Sequence, residues 1–77
     1  MTLETYIEQE RKRRQKTAKQ GEQIFKTDLL KELAERSGVS LLTLQKITRG
    51  ELLKLYPKAK LISEATGGKV TISELLG

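Results

Sequence analysis

Seventy-seven residues without a cysteine or a histidine leave no disulfide, no thiolate or imidazole metal ligand and no imidazole general base. That argues against catalysis, although a carboxylate-based site stays open. A formal charge of +5, from 15 Lys and Arg against 10 Asp and Glu, favours a polyanionic partner. A chain this short buries only roughly 60% of its unfolded surface, so stability is expected to be modest and a dimer partner would add to it.

Thr2 is a candidate N-cap for a first helix. Leu3, Tyr6 and Ile7 share one face of it, and Glu4 suits its positive end. Beyond Ile7 the apolar stripe stops. From Glu8 to Gln23 the only non-polar residues are Ala18 and Gly21, while Arg11, Lys12, Arg13, Arg14, Lys16 and Lys19 stand against Glu8, Glu10 and Glu22. Residues 8–23 therefore read as a basic inserted loop or a helix extension, with Gly21 ending any helix. Phe25, the only phenylalanine, is expected in the core. Thr27 or Asp28 is expected to cap a second helix running to about Arg36.

Leu30 to Arg49 reads as two short helices hinged at Gly38. Leu29, Leu30, Leu33 and Ala34 recur at helical spacing, and Ser37-Gly38-Val39-Ser40 breaks the pattern. Glycine can take the left-handed conformation that ends a helix, and Ser40 is a good N-cap for the next. Leu41, Leu44 and Ile47 continue the spacing until Gly50. This is the pattern of a helix-turn-helix, whose second helix can enter a DNA major groove.

Leu52, Leu53 and Leu55 form a leucine-rich connector. Pro57 suits the first turn of a fourth helix, YPKAKLISEA, which Gly67-Gly68 stops. Val70 and Ile72 alternate with polar residues, which suggests a short extended segment. Thr71-Ile72-Ser73-Glu74 also fits a capping box for a last helical turn from Ser73 to Leu76. No apolar run reaches membrane-spanning length and no signal-peptide core is present, so a cytoplasmic location is expected.

MTLETYI, LAERSGVS and ATGGKVTISEL together resemble the lambda-repressor/Cro-like helix-turn-helix family of small phage and prophage regulators. The resemblance covers about two thirds of the chain. It implies one all-α domain over residues 1–77, a bundle of four to five short helices with a short C-terminal extended segment, and a location on the nucleoid of a bacterial host. This sequence departs from the family in the inserted basic segment, in Ser37 where an apolar residue is common, and in Leu41 and Leu42 at early positions of the second helix of the motif.

The resemblance implies double-stranded DNA as partner, a homodimer, promoter occlusion as the mode of repression, and no cofactor or metal. The expected DNA-contacting residues are Ser40, Leu42, Thr43, Gln45, Lys46 and Arg49 on the third helix. Gln45 could pair with adenine, and Lys46 or Arg49 with guanine or phosphate. Arg11, Lys12, Arg13 and Arg14 could follow phosphates or enter a minor groove. Lys54, Lys58 and Lys60 are further backbone candidates. Leu44 and Ile47 should face inward, and Leu41 is expected to close the turn against Leu33. Leu42 is left to read a thymine methyl or touch a protein. A dimer patch is expected from Leu52, Leu53 and Leu55 with Val70, Ile72, Leu75 and Leu76. Two other readings use the same scaffold: a protein-interaction module, antitoxin-like or anti-repressor, acting through its surplus leucines, and an architectural or recombination-directing DNA binder.

Overall fold

The apolar stripes of the chain converge on one cluster, drawn from every helix of a computed structural model that describes residues 1–76. The described residues form five helices and no strand: α1 (Leu3–Thr17), α2 (Lys26–Ser37), α3 (Leu41–Thr48), α4 (Tyr56–Ala65) and α5 (Ile72–Leu76). The architecture is a small all-α bundle. Leu3, Tyr6 and Ile7 of α1, Leu29, Leu30 and Leu33 of α2, Leu44 of α3, Ala59 and Ile62 of α4 and Leu75 of α5 are buried together with Val39 and Val70.

Local chemistry sets most of the boundaries. The Thr2 hydroxyl accepts a hydrogen bond from the Thr5 N–H at 3.2 Å and starts α1. At the end of α4, the Gly68 N–H reaches the Ser63 carbonyl at 2.8 Å and the Gly67 N–H reaches Glu64 at 3.0 Å. This crossed pair satisfies carbonyls that the helix end would otherwise leave free. The Thr66 hydroxyl, buried beneath this turn, donates to the Ser63 carbonyl at 3.0 Å and accepts from the Val70 N–H at 3.2 Å. Thr66 thus fastens the chain reversal between α4 and α5.

Four expectations change here. Residues 70–72 are not extended. The Thr71 hydroxyl accepts from the Glu74 N–H at 3.2 Å and starts α5 at Ile72. No neighbouring strand exists among the described residues to satisfy an extended backbone, whereas the cap satisfies it locally. Val70 and Leu75 lie in the core and so cannot belong to a dimer patch. Phe25 is 54% exposed: it is the extended residue before α2, and Leu29, Leu30 and Leu33 fill the interior instead. Neither Thr27 nor Asp28 caps α2, which begins at Lys26 with Phe25 in the cap position and no side-chain cap.

The basic segment is mostly helix. α1 continues to Thr17, ten residues past its last buried side chain, Ile7, and ends at Ala18 rather than Gly21. Gly21, with φ 86°, instead sits in a turn closed by the Glu22 N–H on the Lys19 carbonyl at 2.9 Å. Gln15 clamps the return loop at both ends of its amide. Its Nε2 donates to the Glu22 carbonyl at 2.7 Å, and its Oε1 accepts from the Ile24 N–H at 2.9 Å. Ion pairs add to the extension: Arg11 to Glu8 at 2.8 Å, Arg13 to Glu10, Arg14 to Glu32 on α2, and Lys26 to Glu8 at 2.6 Å.

Candidate nucleic-acid interface

α2 ends at Gly38, whose φ of 74° and ψ of 8° turn the chain sharply while its N–H bonds the Ala34 carbonyl at 2.9 Å. Side chains other than glycine's adopt this left-handed conformation reluctantly. Val39 then drops into the core. Ser37 is buried but satisfied: its hydroxyl accepts from the Val39 N–H at 3.2 Å. Polarity at that position therefore supports the turn.

Ser40 begins α3. Its hydroxyl accepts from the Thr43 N–H at 3.2 Å and shares a 2.8 Å hydrogen bond with the Thr43 hydroxyl. Both hydroxyls are thus committed to the helix start. Leu44 is fully buried, and Leu41 and Ile47 are half-buried against the core. The inward assignments of Leu44 and Ile47 agree with this placement, and Leu41 is the member of the leucine pair that packs.

The opposite face is open. Leu42 is 59% exposed, and Lys46 and Arg49 are exposed at spacings of four and seven residues from it, so the three form one stripe along α3. Thr43 and Gln45 flank the stripe and are half-buried. Neither Lys46 nor Arg49 has an ion-pair partner among the described residues, and Ser37 to Gly50 contains no carboxylate. The α3 face is therefore cationic at its C-terminal half and apolar at its N-terminal half.

The cations of α1 form a separate group. Arg11, Lys12, Arg13 and Arg14 lie one to two turns beyond Ile7, and no hydrogen bond or ion pair among the described residues joins them to the α3 stripe. Arg11, Arg13 and Arg14 each face a glutamate, whereas Lys12 is exposed without one. The hydrogen bonds from Lys26 and then Arg11 pull the Glu8 carboxyl down to about 2. The spacings Glu8–Arg11 and Glu10–Arg13 are legible as helix-surface pairs. The Arg14–Glu32 pair and the Gln15 clamp depend on how α2 returns against α1.

A groove of about 350 Å³ lies between the start of α1, the end of α3 and α5, lined by Glu4, Thr48, Arg49, Glu51 and Glu74 among others. Its mixed charge gives no single class of ligand. Among the described residues no three His, Cys, Asp or Glu side chains group as a metal site, and no helix is long and apolar enough to cross a membrane. Lys54, Lys58 and Lys60 are exposed, as are Leu52, Leu55, Tyr56 and Leu61 around them, while Leu53 is half-buried and donates its N–H to the Leu75 carbonyl at 2.8 Å. No family model, curated protein or solved structure matches the chain.

Proposed function

We propose that this protein is a non-enzymatic, sequence-specific binder of double-stranded DNA with a lambda-repressor/Cro-like arrangement, which regulates transcription by occluding a promoter. The observation that carries the reading is the α3 stripe: Leu42, Lys46 and Arg49 are exposed on and just after the helix that follows the Gly38 turn, Lys46 and Arg49 have no ion-pair partner among the described residues, and residues 37–50 contain no carboxylate. A helix held in this way can lie in a major groove, with Gln45, Lys46 and Arg49 at base edges and Ser40 and Thr43 near phosphate. Lys12 with Arg11, Arg13 and Arg14 would add phosphate contacts from α1. Of these arginines Arg13 is the most exposed, and it would exchange its glutamate for phosphate most readily. The exposed Leu52, Leu55, Tyr56 and Leu61 are the surface through which two copies would associate on a palindromic site, in place of the buried Val70 and Leu75.

Duplexes selected from a randomised pool, compared with scrambled duplexes across a salt series, test the proposal. Gln45→Ala and Arg49→Ala should lower affinity for the selected duplex far more than for the scrambled one. Lys12→Ala and Arg13→Ala should weaken both alike and reduce the salt slope by about one each. Absence of any enriched duplex at low salt, from folded protein, refutes DNA readout. The same exposed leucines would serve an antitoxin-like or anti-repressor module, which a stoichiometric protein partner in place of DNA would indicate.

A further inference from the structure

Leu42 is the one part of the α3 face that the phosphate chemistry of DNA does not explain. It is a large aliphatic side chain, more than half exposed, in the first turn of a helix whose outer stripe is otherwise cationic. The core does not need it, because Leu41 and Leu44 already fill the inward positions beside it. Cationic neighbours one and two turns along, Lys46 and Arg49, make a protein's apolar surface a poor cover for the stripe and a polyanion a good one. An aliphatic group on a polyanion's groove floor has one natural apolar counterpart, the C5 methyl of thymine.

Resting on the DNA-binding reading above, we propose that Leu42 is a specificity-determining residue that selects thymine over cytosine and uracil through contact with the thymine C5 methyl. The order along the stripe fixes where that base falls. Leu42 lies N-terminal to Lys46 and Arg49, so the selected thymine adjoins the base pairs within reach of these cations, toward the end of the site that meets the start of α3. The Ser40 and Thr43 hydroxyls, bonded to one another, cap the first turn of the helix from which Leu42 projects. The contact is open to water on its flanks. Its discrimination is therefore that of about one buried methylene, roughly fourfold per half-site, and well below what a closed pocket reaches.

The test uses the full chain and the duplex it enriches from a randomised pool. Each thymine of that duplex is replaced singly by deoxyuridine, which removes only the methyl, and binding is measured for the wild type and Leu42→Ala. One thymine per half-site should lose about fourfold in wild-type affinity on losing its methyl, and Leu42→Ala should bind the two duplexes equally. Leu42→Ala lies at an exposed helical position and should keep its thermal melt, and its salt slope on scrambled duplex should match the wild type. Enrichment of a duplex in which no thymine methyl matters, or in which the methyl effect survives in Leu42→Ala, overturns the assignment and leaves DNA binding standing. Failure to enrich any duplex refutes the DNA-binding reading itself.

Discussion

Replacing Gly38 probes the turn on which the position of α3 depends. Its φ of 74° lies where a side chain meets its own backbone, at about 1–2 kcal/mol for an ordinary residue. Apart from the residue itself and its two chain neighbours, a Cβ built there has no atom within 4 Å, so no tertiary clash adds to that strain. Alanine also stiffens the unfolded chain, which opposes the loss by roughly 0.4–1 kcal/mol, and the net for Gly38→Ala is a destabilisation of about 1 kcal/mol. Asparagine visits left-handed backbone more easily, so Gly38→Asn should lose less, and β-branched Gly38→Val should lose most. For a domain of this size the alanine effect lowers the thermal midpoint by about 4–8 °C and the urea midpoint by about 1 M at an unchanged m of about 1 kcal/mol/M. Total stability of order 4–12 kcal/mol leaves every variant folded in water. Urea and thermal melts followed by circular dichroism give the ranking. A neutral or stabilising alanine, or an asparagine worse than alanine, would refute a left-handed turn between α2 and α3.

Two further outcomes follow from polar groups elsewhere. Thr66→Val keeps the shape of the side chain but strands the Val70 N–H in the core, at a cost of about 1–3 kcal/mol, while Thr66→Ser retains the hydroxyl and should lose less; equal losses in the same melts would count against the hydroxyl's role. The Glu8 carboxyl is lowered from 4.5 to about 2, first by its hydrogen bond with Lys26 and then by that with Arg11. Because the folded state binds that proton less readily, the pair's contribution is complete above pH about 4.5, declines as pH falls and is gone below about 2. Glu8→Gln should flatten the acid limb of a stability-against-pH curve over that interval at low salt, and an unchanged slope would show that the pair carries no linkage.

The parts of the fold that sequence revealed are those decided within a few residues. Thr2 and Ser40 cap helices because their hydroxyls reach N–H groups three positions on, and Gly38 ends α2 with a bond four positions back. The burial of Leu33, Leu44 and Ile62 follows from helical periodicity alone. What the sequence concealed was settled by distant partners. α1 outlasts its apolar stripe because Gln15 grips residues seven and nine positions away and Arg14 finds Glu32. Phe25 stays outside although its composition argued for burial, since the leucines after it reach the interior first. Val70 and Leu75 were drawn inward by the reversal that Thr66 fastens, which no alternation of residue types could announce. Of the candidate interface, the inward and outward faces of α3 were legible, whereas the neutralisation of three α1 arginines was visible only for the pairs spaced three apart.

That neutralisation has a consequence for how the molecule meets anything charged. With Arg11, Arg13 and Arg14 opposed by glutamates, much of the local excess at that pole cancels at close range. From residue 46 to residue 60 the chain instead carries Lys46, Arg49, Lys54, Lys58 and Lys60 against Glu51 alone, all at the surface. Toward a polyanion, these unopposed cations would add to long-range attraction before contact, together with Lys12, Lys16 and Lys19 of α1 and the loop after it.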